Sequence, residues 1–411
     1  MSFIIISLLL ASDFIQTIPI NCQKKDLWAQ QMVCAEAMKK RADEILSRIR
    51  GPKQSAVKLA IMDSGISKKA VKFIDTGEKI TIKKFENNHY NYFPIITEID
   101  FHPSDELNHG TPIAALITGQ DNIGMIDKDF EFTLYKSDHS RTIFHSLEVI
   151  CDENQDLSGV TVINLCISYP PEGLADEEAY SDEIKKLGLK GCLIVKSAGN
   201  HDFYDLSHAH RIDDAYLRVG SVDLKKHKTI GTDIGEIYAP GKLVWSISNE
   251  NFNQSHDPSI GCDQYTGTSF ATPLVSGIAA QVIRILKSGD YFSQLAPEKR
   301  VAQVSRILKY SEVGGVVNGR WAVEIAYDFN LVEDGYSRNP SKRKCLEFTR
   351  RMSCSRAEFL LPVTDYIQWA IENHLFEFTD DFVDSEICKR DFLLEYMNRT
   401  SVDLYVESSD L

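Results

Sequence analysis

The sequence predicts a three-layer α/β protein: a mostly parallel central sheet covered by helices on both faces, with a small, mostly helical C-terminal extension. Three observations lead there. Short apolar runs alternate with longer amphipathic ones from about Val57 to Ile247. The short runs are apolar at successive positions, as in strands buried on both faces. A chain of 411 residues with 43% hydrophobic and 25% charged residues can bury a core of that size. In such sheets ligands gather at the carboxyl ends of the strands, so the residues that end the apolar runs carry the functional expectation.

Taken in order, the chain opens on "MSFIIISLLLASDFIQ", whose apolar stretch Phe3 to Ala11 is too short to span a bilayer but long enough for the core of a signal peptide. No basic residue precedes it and no small-x-small site follows, so export is favoured over a cytoplasmic location only narrowly, with residues 1–22 as the candidate signal. No other run is apolar enough to insert stably in a membrane. Residues 24–50 read as one charged amphipathic helix stopped by Gly51-Pro52, which makes 23–52 an N-terminal helical segment.

Strand candidates follow at 57–63 ("VKLAIMD"), 131–136 ("EFTLYK"), 160–167 ("VTVINLCI"), 191–198 ("GCLIVKSA"), 216–222 ("YLRVGSV") and 243–247 ("LVWSI"). Helices are expected near 110–118, 141–151, 177–188, 270–287 and 297–309. Residues 331–411 form a separate zone, opening with "SRNPSKRK" and turning acidic in "ENHLFEFTDDFVDSEIC", and are read as a helical extension.

A net charge of -14 opposes binding to a phosphate backbone, so nucleic acid is not an expected partner. Nine cysteines without a C-x-x-C pair lack the spacing of zinc or thioredoxin-like chemistry. Cys166 and Cys192, inside apolar runs, read as buried thiols, whereas Cys22, Cys34, Cys345, Cys354 and Cys388 could form disulfides in an exported protein.

Four short motifs fall at ends of apolar runs. Ser269 in "GTSFATP" is expected at the start of a helix, with Pro273 in its first turn, where unpaired N–H groups and the helix dipole favour negative charge. Asp63 ends "LAIMD" ahead of a Ser-Gly turn, and His109 opens "NHGTPIAALITG", a helix begun near Pro112 and closed by Gly119. Asn200 in "VKSAGN" places a carboxamide at the same edge. Singly, each has a plain structural reading: Thr268 or Ser269 as an N-cap, Asp63 as a turn cap, His109 as one of 11 histidines, Asn200 as a strand-end turn. Together they supply a hydroxyl, a base, a group to orient the base, and a donor for a developing oxyanion.

"AIMDSGI", "NHGTPIA", "VINLCIS", "SAGN", "YAPG" and "GTSFATPLVSG" occur in the order and with the rough separations of the subtilisin-like serine proteases, and from about 55 to 290 the chain resembles that family. The resemblance implies a subtilisin-like catalytic domain over 53–330 that hydrolyses peptide bonds. It makes Ser269 the nucleophile, His109 the general base, Asp63 the orienting carboxylate and Asn200 an oxyanion donor. The chain order Asp, His, Ser is that of subtilisin. An extended polypeptide would dock as an added strand along Cys166, Ile167, Ser168 and Tyr169, with Ser197, Ala198 and Gly199 lining the first specificity pocket and Thr268 beside the nucleophile. A monomer is expected, with no cofactor or metal in the chemical step. "TGQDNIGM" (118–125) resembles, one residue short, a loop that binds calcium in many relatives, so structural calcium is allowed by the resemblance rather than expected from it.

Departures from the family pattern are Asn108 and Pro112 around the histidine, and Ser168-Tyr169 where two glycines are common. Residues 24–50 are too few for a folded propeptide of the usual kind, so this helix is expected either to pack permanently on the domain or to block the cleft as a short arm. Two rival functions share the fold: a catalytically silent peptide-binding protein, and a peptide ligase or macrocyclase.

Overall fold

The central sheet is built on β1 (Val57–Asp63), buried at six of its seven positions. The computed structural model describes residues 27–48, 55–66, 80–84, 109–119, 123–136 apart from 128, 143–166 apart from 154, 155 and 157, 184–200, 214–248 and 262–333. Around β1 stand β2 (Ile80–Lys84), β3 (Phe130–Lys136), β4 (Thr161–Leu165), β5 (Cys192–Ser197), β6 (Tyr216–Val222) and β7 (Ile237–Pro240). Their order is β2-β3-β1-β4-β5-β6-β7, with every neighbouring pair parallel. After β1 the chain runs to the edge at β2, comes back to β3 beside β1, then crosses to β4 and builds outward on the other side. The carboxyl ends of β1 and β4 therefore flank the switch point where open α/β sheets hold their ligands. β4 and β5 are buried at every position, which is why they appear in the sequence as unbroken apolar runs.

A helix preceding the sheet was expected to be continuous from 24 to 50. It is instead two helices, α1 (Trp28–Met32) and α2 (Ala35–Arg48), broken where Cys34 takes a left-handed φ of 58°. Met38, Ala42 and Ile45 form the buried stripe of α2. The other helices with printed bounds are α3 (Gly110–Thr118), α4 (Ile143–Glu153), α5 (Thr268–Leu286), α6 (Asp290–Gln294), α7 (Pro297–Tyr310) and α8 (Gly319–Glu333). A helical stretch also covers 184–189.

All 19 residues of α5 are buried. It is the one helix among those described that is long and apolar enough to cross a membrane, and here it is the core helix, packed on the sheet, α2, α3 and α8. Fully burying one of its Leu, Ile or Val side chains contributes about 1.5–3 kcal/mol. Its far end is tied to the start of β1 through Lys287, which bonds Asp156 at 2.6 Å, Ser55 at 2.8 Å and the Ala56 carbonyl.

α2 packs against α5 and α8 as an integral part of the fold, reinforced by Arg41 with Glu324 and by Arg284 with Asp43 and Asp129. Helix α8 runs to Glu333, across the boundary expected at 330. The candidate signal at 1–22 and all of the extension beyond 333 lie outside the described residues.

Two further expectations are corrected. The run 243–247 does form a strand, β8 (Val244–Ile247), but it pairs antiparallel with β9 (Cys262–Tyr265) and not with the parallel sheet. Apolarity reports burial, not pairing partner. Cys192 is no free thiol: it is bonded to Cys151 and joins β5 to α4. Cys34 and Cys262 are disulfide-bonded too, and Cys166 is a free buried thiol.

Candidate active site

Asp63 is the last residue of β1, so its side chain emerges at the switch point, fully buried. Its Oδ1 accepts the Ser64 N–H at 2.8 Å and faces Nδ1 of His109 at 2.7 Å. His109 is the N-cap of α3, and its helix is drawn against the β1 turn because Ser64 Oγ accepts the Gly110 N–H at 3.0 Å. Only glycine allows this approach: a Cβ at position 110 would lie 2.1 Å from the Gly65 carbonyl oxygen. In the tautomer whose Nδ1–H donates to Asp63, the ring's lone pair stands on Nε2. The ring meets Phe270 edge-on, centroids 5.8 Å apart, and Phe270 in turn stacks on Tyr265 of the β8–β9 pair.

Ser269 is the second residue of α5 and 5% exposed. Its hydroxyl donates to the Cys166 carbonyl at 3.4 Å. The helix starts at Thr268, two residues before the expected 270, so Pro273 stands in the second turn rather than the first. Its missing N–H therefore leaves the Ser269 carbonyl without the usual partner four residues on. The Cys166 thiol supplies one, at 3.4 Å.

Asn200 follows β5 at the surface. Its Oδ1 accepts the Thr268 N–H at 3.0 Å, which identifies the amide oxygen and turns Nδ2 the other way. Gly267, at φ 148°, leaves space for that amide: a Cβ there would stand 3.3 Å from Nδ2. Thr268 gives its N–H to Asn200 and Phe270 gives its own to the Gly267 carbonyl, whereas the Ser269 N–H, in the first turn, has no earlier helical residue to bond.

The fully buried Thr268 side chain accepts from the Gly199 N–H at 3.1 Å and donates toward the Gly199 carbonyl. It braces the Gly199-Asn200 corner directly ahead of Ser269. Ser197 is buried as well, the Gly199 carbonyl is taken by the Asp233 N–H, and Ala198 is half-buried. Cys166 is described, at the end of β4; Ile167, Ser168 and Tyr169 lie outside the described residues.

Sequence reasoning missed Lys196. Its ammonium is buried beneath the same edge and donates to the Ser197 carbonyl at 3.1 Å, and burial pushes its pKa down to about 8. A lysine inside "LIVKSA" was the available signal. Burial, and then the Asp63 carboxylate, push the Cys166 thiol up, so it stays protonated.

In the loop 118–125, the Ile123 carbonyl accepts from Gln30 Nε2 at 2.9 Å, and Lys39 Nζ bonds the Gly124 carbonyl at 3.1 Å and Asp127 at 3.0 Å. An ammonium and an amide from the N-terminal segment thus hold two backbone carbonyls of this loop, whose residues 120–122 lie outside the described residues.

A parallel sheet of order β2-β3-β1-β4-β5-β6-β7 with Asp63 at the carboxyl end of β1, and a serine in the first turn of the buried core helix, define a three-layer α/β protein. Residues 54–309, more than half of the chain, match the model of the Subtilase family, and the chain belongs to that family. It is similar to Subtilisin-like protease 3 of Pseudogymnoascus destructans, 25% identical over 280 residues that cover 64% of this chain and 61% of the relative. It is also similar to the M-protease of Shouchella clausii, 27% identical over 247 residues covering 57% and 55% of the two chains. These matches span little more than half the length of either relative. Among solved structures, the nisin leader peptidase NisP from Lactococcus lactis matches with TM-score 0.49 and 18% identity over 73% of this chain and 94% of that one. A cold adapted subtilisin-like serine proteinase matches with TM-score 0.47 and 19% identity over 67% and 93%.

Proposed function

We propose that the chain is a serine endopeptidase acting on polypeptides bound in extended form, with Ser269 as nucleophile, His109 as base and then acid, and Asp63 as the residue that orients the imidazole. The observation that carries this reading is the 2.7 Å contact between His109 Nδ1 and buried Asp63 in a member of the Subtilase family.

When substrate docks along the strand end at Cys166, the Ser269 hydroxyl turns from the Cys166 carbonyl to His109 Nε2. The oxygen attacks the scissile carbonyl carbon as the imidazole takes its proton, and Asp63 stabilises the imidazolium. Negative charge that develops on the carbonyl oxygen meets Asn200 Nδ2 and the Ser269 N–H, whose orientations are set before reaction by Thr268. His109 then protonates the leaving amine, and water repeats the sequence on the acyl-enzyme. Every proton has a named carrier, so the chemical step calls for no cofactor.

The disulfide bonds of Cys34, Cys151, Cys192 and Cys262 support an oxidising compartment and hence export. A fluorophosphonate probe tests the function. Labelling that disappears in Ser269→Ala is expected; absence of labelling in the wild-type chain would favour a silent peptide-binding protein. Product analysis with an added amine separates hydrolysis from peptide ligation.

A further inference from the structure

We propose that Cys166 is a positioning residue, whose thiol, held by Asn164, fixes the first turn of α5 so that the Ser269 hydroxyl stands where His109 can take its proton. The proposal rests on the peptidase reading and goes beyond it by giving a task to buried groups that carry no proton in the reaction.

Pro273 has no N–H to give to the Ser269 carbonyl, so the turn that presents the nucleophile lacks one of its own helical bonds. Cys166 fills the gap from β4, with Sγ 3.4 Å from that carbonyl oxygen. Sulfur is a weak donor, and a freely rotating thiol would define no position. Here Sγ itself accepts from Asn164 Nδ2 at 3.2 Å, and Asn164 Oδ1 accepts the Ser276 hydroxyl at 2.8 Å. Ser276 belongs to the third turn of α5. The path thus leaves the helix at Ser276, crosses to β4 and returns to the helix at Ser269, bracing the two turns across the proline.

Asn164 and Ser276 are fully buried and Cys166 is 3% exposed, so water does not compete for these bonds. The Cys166 carbonyl meanwhile accepts the Ser269 hydroxyl. One residue therefore holds the nucleophile through both its backbone carbonyl and its side chain. Burial keeps the thiol protonated, which is the state that can donate.

The test compares full-length Cys166→Ala, Cys166→Ser and Ser276→Ala with wild type by kcat, KM and the rate of fluorophosphonate capture at Ser269, with folding checked by circular dichroism. A nucleophile displaced by a fraction of an ångström should lower kcat and capture in Cys166→Ala about 10- to 100-fold, with KM within about 2-fold. Cys166→Ser, whose hydroxyl donates in the same direction, should return to within about 3-fold of wild type. Ser276→Ala should fall about 3- to 10-fold, and the Cys166→Ala/Ser276→Ala double variant should lose little more than Cys166→Ala alone. The pH–rate midpoint should not move, because the bond between His109 and Asp63 is untouched.

Capture by Cys166→Ala at the wild-type rate, or a serine variant no better than alanine, would overturn the positioning role while the peptidase reading stands. If Cys166→Ala does not fold, Ser276→Ala decides: undiminished kcat refutes the brace, and a loss with KM unchanged supports it. A wild-type chain that captures no probe at Ser269 removes the peptidase reading and this proposal with it.

Discussion

His109 Nδ1 lies 2.7 Å from Oδ1 of Asp63, and the carboxylate side chain is 1% exposed against 32% for the imidazole. The carboxylate is dry, and the imidazole reaches solvent. Asp63→Asn keeps the shape but offers an amide that favours the wrong imidazole tautomer. A drop in kcat of about 10⁴ is expected, with folding intact. Steady-state kinetics beside circular dichroism check this; a folded variant that keeps most of its kcat would contradict the assigned role.

Asn200 has its oxygen committed to Thr268 and its Nδ2 directed away from that bond. Asn200→Ala should therefore lower kcat about 10²- to 10³-fold while KM changes little, since the lost bond strengthens only as charge develops. Equal losses in binding and turnover would point instead to a collapsed cleft.

The Cys151–Cys192 bond closes a separation of 41 residues between α4 and β5. In the chain-entropy model a loop of this length is worth about 4 kcal/mol, so replacing both cysteines by serine should lower the urea-unfolding free energy by a similar amount. An unchanged unfolding midpoint would show that the denatured chain gains no freedom when the link is removed.

Lys196 bears on the pH dependence of stability. Its folded-state pKa of about 8 lies below the ordinary 10.5, because burial disfavours the charge. Below pH 8 both states hold the proton, and the folded state bears the full cost of the buried ammonium. Between pH 8 and 10.5 the unfolded chain binds more protons, so this contribution makes stability rise with pH. Lys196→Met removes that cost and should be more stable than wild type at pH 7 by up to about 3 kcal/mol, with the gap narrowing by pH 10. Urea unfolding at the two pH values measures it; a gap independent of pH would go against the expectation.

Lys39 links the N-terminal segment to the loop after α3 through the Gly124 carbonyl and Asp127. Lys39→Met keeps most of the packed stem but strands the carbonyl, at an expected cost of about 1–3 kcal/mol. Calorimetry would report this as a lower Tm, and an unaltered Tm would show that the loop stands without the ammonium.

β1, β4 and β5 were legible because strands buried on both faces must be apolar throughout, and α3 and α5 because Gly and Pro punctuate them. β2, with the sequence "ITIKK", was not read at all, since two lysines interrupt its short apolar pattern. Nothing in the sequence around Cys34 announces a left-handed residue, so the break between α1 and α2 went unread. β8 was recognised as a strand but assigned to the wrong sheet.

The sequence by itself determined the fold class, because hydrophobic period and turn chemistry are local properties written residue by residue. It also placed an aspartate, a histidine, a serine and an asparagine at the ends of their elements. Only the tertiary structure decided that Asp63 meets His109, that Cys151 meets Cys192, and that Cys166 replaces the helical partner Pro273 withholds from Ser269. Each of these pairs two groups far apart in the chain, and the hydrogen bond or covalent link between them depends on ångström-scale packing that no local pattern encodes.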